Sequence, residues 1–168
     1  TRINFKIDKE LISDKTPNNE NFYYPNGLLD FLKEDYDISK KIIQKNFFKE
    51  IFFNSKEKCE ILVDFNDDEK SVLKSYCNTV ETPDGGTHEN ALKNSIMKAI
   101  KLFGKKNQFT KILNINNNDV FDYSNAFISL FINSPSFEGQ TKKRVSMPII
   151  QKKLEYEIQN NFLVWLNS

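Results

Sequence analysis

Apolar residues recur along this chain at two spacings, and the change from one to the other marks out its elements. Ile3, Phe5 and Ile7 alternate with polar neighbours, so Thr1 to Ile7 reads as a half-buried strand. Lys15 to Asn21 reads as a loop. Phe22-Tyr23-Tyr24 is extended, and Pro25-Asn26-Gly27 turns the chain into a short helix carrying Leu28, Leu29, Phe31 and Leu32. Two strands, Asn46 to Asn54 and Lys58 to Asn66, flank the turn Ser55-Lys56-Glu57, with Cys59, Ile61, Val63 and Phe65 on one face of the second. Polar Asn66 to Lys70 leads into a third strand, Ser71 to Val80, and an antiparallel meander is the simplest arrangement of the three.

The period then lengthens. Leu92, Ile96, Ala99, Ile100 and Phe103 form one buried stripe of a helix that Thr87 can cap through its hydroxyl and Gly104 can end. Lys101, Lys105 and Lys106 gather at its C-terminal end, where the helix dipole favours positive charge. Asn107 to Asp122 reads as a short helical and loop passage. Ser124 to Asn133 is apolar on both faces, Ala126, Ile128, Leu130 and Ile132 on one and Phe127 and Phe131 on the other, so this strand belongs in the middle of a sheet. Ile150, Leu154 and Ile158 mark a further helix, and Phe162, Trp165 and Leu166 a separate short helical turn. Strands and helices alternate irregularly, which gives an α+β class with a mixed sheet covered by helices on one side.

Composition narrows the function classes. A chain of 168 residues is of the size of one domain, and 39% hydrophobic with 28% charged residues is globular usage. Fifteen Phe against five Gly point to a core filled by aromatic bulk. A net charge of +1 neither announces nor excludes nucleic acid, so DNA contact would have to come from local lysine patches. Cys59 and Cys77 lack a metal-ligand spacing and, even with His88, no second close pair exists, so no metal is expected. Two thiols suit a reducing cytoplasm, and no apolar run approaches a membrane span. Thr1 is not a start residue, and a strand pattern begins at once, as in a piece of a longer chain. No GxxxxGK[ST] or GxGxxG run occurs, so a self-contained nucleotide site is not expected.

Two motifs carry the candidate chemistry. Asp84-Gly85-Gly86-Thr87-His88-Glu89 puts a Gly pair and a capping Thr directly before the long helix. It holds the only histidine, but no nucleophile is paired with His88 at a recognisable spacing, and a turn plus helix start is the plainer reading. Phe137-Glu138-Gly139-Gln140-Thr141-Lys142 lies on a polar loop after the central strand. There an amide donor at Gln140 and a flexible ammonium at Lys142 suit a phosphate, and Gly139 permits close backbone approach. Taken alone, the same run is also a solvated basic loop.

The two motifs in this order, with Ser75-Tyr76-Cys77-Asn78-Thr79-Val80-Glu81-Thr82-Pro83 before the first, resemble the transducer domain of the ATPase subunit of bacterial type IIA DNA topoisomerases. Tyr76-Cys77-Asn78 and Thr82-Pro83-Asp84 look more like the B subunit of topoisomerase IV than that of gyrase. Lys143, Arg144 and Ser146, and Ala91 and Lys93, differ from the residues more usual at those places. The resemblance implies a ribosomal protein S5 domain 2-like fold with a left-handed βαβ crossover, and residues 1–168 as one transducer domain. An upstream GHKL-type ATPase domain and a downstream cleavage-core domain would lie outside it. It implies that Gln140, Thr141 and Lys142 contact the γ-phosphate of ATP held mainly by that ATPase domain, with Mg2+ in the parent enzyme but not bound here. It further implies double-stranded DNA, the DNA-cleaving A subunit and a homodimer of the B subunit in an A2B2 assembly as partners, and ATP hydrolysis coupled to duplex passage. A free-standing S5-like RNA-binding module, or a plain interaction domain whose loop binds no phosphate, is the alternative, and the first of these needs a basic face with exposed aromatics.

Overall fold

The computed structural model describes residues 2–13, 19–30, 41–67 and 71–168. The chain divides into two compact units, residues 1–37 and 38–168. In the first, β1 (Arg2–Lys6) and β2 (Asn19–Tyr23) form an antiparallel pair with Ile3 opposite Phe22 and Phe5 opposite Glu20. Phe5 meets Phe22 edge to face at 5.9 Å, and the Arg2 guanidinium lies 4.4 Å from the Tyr23 ring centroid. The expected strand is present but not half-buried, since Ile3 and Phe5 are 48% and 55% exposed. The loop expected over Lys15 to Asn21 ends early, because β2 starts at Asn19; residues 15–18 lie outside the described ones. Pro25 to Gly27 makes the expected turn into helical residues 28–30, closed by the Asn26 N–H and side-chain amide donating to the Asp30 carboxylate at 2.8 and 2.9 Å. Phe31 and Leu32 lie outside the described residues.

The second unit is built on a five-stranded sheet. Its strands are β3 (Phe47–Phe52), β4 (Lys58–Phe65), β5 (Val72–Cys77), β6 (Val80–Glu81) and β7 (Ser124–Phe131), in the spatial order β3-β4-β7-β5-β6. β3 and β4 form the expected hairpin, Ile51 facing Cys59. The meander stops there. β7 inserts between β4 and β5, antiparallel to the first and parallel to the second. Apolarity on both faces of Ser124 to Phe131 favours neighbours on both edges and both faces, and seven of its eight residues are buried. The strand expected over Ser71 to Val80 is also broken, because Asn78 and Thr79 take φ of 50° and 70° and fold β6 back on β5. Paired left-handed residues are the geometry of a two-residue hairpin turn, and Asn tolerates it better than most side chains.

Helices α1 (Thr87–Lys106) and α3 (Pro148–Leu166) pack together on one face of the sheet, with α2 (Asn117–Phe121) and a 3-10 turn at Thr110–Asn114 in the connection between α1 and β7. Cys59, Ile61, Val63, Ala126, Ile128 and Leu130 of the sheet meet Leu92, Ile96, Ala99, Leu154, Ile158 and Phe162 of the helices in one buried core. Phe47, Phe65, Phe162 and Trp165 cluster at one end of it, with Phe47 and Phe162 edge to face at 4.9 Å and Phe162 5.0 Å from Trp165. Leu62 and Phe127, on the opposite sheet face, are fully buried too.

Three helix boundaries differ from the sequence reading. Ile150 to Leu166 is one helix, not two, and Asn161 fits inside it by donating its amide back to the Glu157 carbonyl at 2.7 Å. Gly104 does not end α1; it is buried within it, where a Cβ would come within 2.8 Å of the Ile112 side chain. The helix closes at Asn107, whose amide donates to the Phe103 carbonyl. Thr87 is the first helical residue, not the cap, and its hydroxyl accepts from the Met147 N–H at 3.0 Å.

Candidate functional site

The fold brings the two motifs together. Val145 forms a parallel bridge with Gly86 and an antiparallel bridge with Phe137, so the returning limb of the loop lies between its outgoing limb and the 84–87 turn. The Asp84 N–H donates to the Lys143 carbonyl (3.1 Å), the Val145 N–H to the Gly85 carbonyl (3.1 Å), and the Thr87 N–H to the Val145 carbonyl (2.9 Å). Across the loop itself, the Glu138 N–H donates to the Arg144 carbonyl (2.9 Å) and the Ser146 N–H to the Ser136 carbonyl (2.8 Å). The segment is therefore a narrow hairpin with its tip at residues 139–143, clasped at its base to the start of α1.

Glycine is required at the clasp. Gly86 has φ 130°, and a Cβ there would stand 2.2 Å from the Val145 carbonyl oxygen. At the tip, Gly139 (φ 76°) and Lys142 (φ 53°) both take left-handed conformations, with open space around Gly139. Gln140, Thr141, Lys142 and Lys143 are exposed. Arg144 is partly exposed but held: its Nη1 donates to the Asp84 carbonyl at 2.8 Å and its Nε pairs with Glu138 Oε2 at 3.1 Å. The basic pair thus divides into a free-standing Lys143 side chain and a bracing Arg144. On the outgoing side, Asn78 both donates to the Ile132 carbonyl (2.8 Å) and accepts from the Ile132 N–H (2.9 Å), while Glu57 accepts from the Asn133 N–H (2.9 Å). Sequence reasoning missed Arg144, Glu138 and Asn78 as loop supports. Their partners lie up to sixty residues away, and no local pattern encodes that pairing.

Under the clasp lies a buried polar chain. Thr82 Oγ1 donates to the Ser75 carbonyl (2.9 Å), Ser75 Oγ lies 3.1 Å from Glu89 Oε2, and Lys93 pairs with Glu89 Oε1 at 2.8 Å. His88 Nε2 is 3.3 Å from Thr82 Oγ1, the tautomer deciding which of the two donates, and the buried Nδ1 meets no partner among the described residues. His88 is fully buried, and this burial pushes its pKa down to about 4 although Glu89 pulls the other way. It is a neutral structural residue, as expected for a turn and helix start.

A pH dependence follows. The folded pKa lies below the unfolded value near 6.5, so the contribution is complete above about pH 6.5 and is lost as pH falls towards 4, at up to ~1.4 kcal/mol per unit. Urea unfolding at pH 7 and pH 4.5 is expected to show a loss larger by ~2 kcal/mol in the native chain than in His88→Gln, which has no imidazole to charge. An identical loss in both would place the acid sensitivity elsewhere.

Cys59 and Cys77 are free, buried thiols whose pKa values burial pushes up, which makes them unreactive core fillers. Among the described residues no three His, Cys, Asp or Glu side chains converge in a metal-holding group, and no helix is long and apolar enough to cross a membrane.

A family model described as DNA gyrase B matches residues 27–168. The B subunit of DNA topoisomerase 4 from Rickettsia felis is 34% identical over 168 residues, 99% of this chain and 25% of the relative; that from Caulobacter vibrioides is 32% identical over 172 residues. The chain spans about a quarter of the length of these curated relatives. Among solved structures, the topoisomerase IV ATP binding domain of Francisella tularensis, in complex with a small-molecule inhibitor, superposes with a TM-score of 0.69 at 28% identity, covering 89% of this chain and 40% of that one. The 43K ATPase domain of Thermus thermophilus gyrase B shares the fold at a TM-score of 0.72, with 21% identity and the same coverages.

Proposed function

The chain belongs to the DNA gyrase B family of type IIA topoisomerase B subunits, and on that premise we propose that residues 1–168 are its transducer domain, which senses ATP bound in a neighbouring ATPase domain. The observation that carries this reading is the loop tip. Gln140, Thr141 and Lys142 stand exposed at the end of a hairpin whose base is fixed by backbone bonds to the 84–87 turn. Lys142 brings a point charge and three donors, and Gln140 brings an amide donor, so both fit a terminal phosphate. A bound ATP supplies that phosphate; this chain supplies the contact. Lys142 and Gln140 hold it while it is present and lose it when phosphate leaves, a difference of about 1.5 to 3 kcal/mol for a charge-assisted bond. The clasp carries the loop's position to the start of α1, and two domains joined by such a contact can separate after hydrolysis.

The parent protein in this proposal is a cytoplasmic, ATP-hydrolysing DNA topoisomerase, with topoisomerase IV favoured over gyrase by the identities to the Rickettsia and Caulobacter proteins. Its partners are double-stranded DNA, the DNA-cleaving A subunit and a second copy of the B subunit. The described residues offer no acidic cluster for Mg2+, which belongs in this reading to the ATPase domain.

One consequence is that residues 1–168 alone bind ATP negligibly and do not hydrolyse it, because a few exposed donors do not make a phosphate cradle. Isothermal calorimetry should give no measurable heat of binding at micromolar ATP. Micromolar affinity in the isolated chain would sink the proposal.

A further inference from the structure

We propose that Arg144 is a positioning residue for the loop tip: it locks the hairpin base to the 84–87 turn so that Lys142 is presented in one orientation. The inference rests on the phosphate-sensing reading above and extends it to a residue that touches no nucleotide. Glu138 and Arg144 face each other across the hairpin and are joined twice, through the backbone at 2.9 Å and through their side chains at 3.1 Å. The second arm of the guanidinium reaches out of the loop to the Asp84 carbonyl at 2.8 Å. One planar side chain therefore ties three points together: the outgoing limb, the returning limb and the turn before α1.

The tip needs such a tie. Lys142 at φ 53° is a side-chain-bearing residue in a conformation that costs free energy and persists only where the surroundings impose it. The exposed side chains of Gln140, Thr141 and Lys142 do not supply the imposition, so it comes from the base. A lysine could not replace Arg144, because a single ammonium lacks the fork that reaches two acceptors in fixed geometry. Lys143 next to it contributes its carbonyl, which accepts from the Asp84 N–H.

A residue that acts through Lys142 has a distinctive signature: its removal matters only while Lys142 is present. The experiment uses the full-length B subunit reconstituted with its DNA-cleaving partner, in four forms: native, Arg144→Ala, Lys142→Ala and the double variant. ATP turnover in Arg144→Ala is expected to fall about three- to tenfold, and the double variant is expected to lie within about 1.5-fold of Lys142→Ala. Arg144→Lys should keep most of the loss. Amide exchange at Glu138, Val145 and Ser146, whose N–H groups donate at the hairpin base, should speed up about fivefold or more in the nucleotide-free Arg144→Ala protein, with exchange in β7 unchanged. Equal losses in both backgrounds would make Arg144 an ordinary structural residue and overturn the proposal. So would normal turnover in Arg144→Ala while Lys142→Ala is impaired, and in both cases the phosphate reading survives. Normal turnover in Lys142→Ala would overturn the phosphate reading, and the positioning role with it.

Discussion

In the parent topoisomerase of the proposed function, ATP turnover and strand passage are expected to fall together by about thirtyfold when Lys142 is replaced by Ala, since loss of the proposed charge-assisted bond, worth ~2 kcal/mol, reduces closed-state population or transition-state stabilisation by that factor. The substitution is a clean one. Ala keeps a Cβ, so the left-handed backbone at φ 53° is as strained as before, and only the ammonium and its stem are lost. Lys142 is exposed and lies outside the core, so circular dichroism should be unchanged. Lys143→Ala is the control: it removes a neighbouring charge of the same type while the Lys143 carbonyl still accepts from Asp84, and turnover should stay within about twofold of native. Equal damage in both variants would reduce the loop to a basic surface.

Gly86→Ala is expected to be the most destabilising small substitution in the site. The added Cβ would meet the Val145 carbonyl oxygen at 2.2 Å and its nitrogen at 2.5 Å, and both are backbone atoms that no rotamer change can move aside. The φ of 130° adds strain of ~1–3 kcal/mol. Relief requires the loop to detach, which breaks the bonds from the Val145 N–H to Gly85 and from the Thr87 N–H to Val145, at about 1 kcal/mol each. A total of ~3 kcal/mol or more should appear in the denaturation midpoint, with faster amide exchange at Val145 and Thr87. Gly139→Ala, in open space, should cost no more than ~1–2 kcal/mol, the left-handed backbone alone. Similar losses at the two glycines would contradict the clasp.

What the sequence made legible was whatever local period or punctuation determines. The α1 stripe from Leu92 to Ile100, the two-faced apolarity that centres β7, and the turn at Pro25 to Gly27 were all readable because each is decided within a few residues, while Phe103 lies outside the core that the stripe was read to fill. The insertion of β7 between β4 and β5 was not readable, since the parallel match of Val72 with Asn125 joins residues fifty-three apart and depends on α1 carrying the chain back. Gly104 misled for a related reason: near a lysine cluster it reads as a helix stop, whereas its role is to let Ile112 approach. Phe162, Trp165 and Leu166 read as a turn separate from the helix before them, but they continue α3, and Asn161 between them satisfies its amide on that helix. Of the proposed site, Gln140 and Lys142 are candidates by residue type and by the resemblance that the order of the two motifs carries. The braces at Arg144, Glu138 and Asn78 could not be named from sequence, because a loop's supports are chosen by tertiary proximity.

The central claim, that Lys142 reaches the terminal phosphate of bound ATP, is tested most directly by proximity labelling in the full-length protein. An ATP derivative carrying an acyl group as a mixed anhydride on its terminal phosphate transfers that acyl group to an amine in contact with the phosphate, and the modified lysine is then read by peptide mass spectrometry. Acylation of Lys142 that excess ATP suppresses, with Lys143, Lys105 and Lys106 unmodified or modified regardless of ATP, is the expected result. Saturating occupancy of the nucleotide site with Lys142 unlabelled, or labelled no faster than Lys143 and insensitive to ATP, would contradict it.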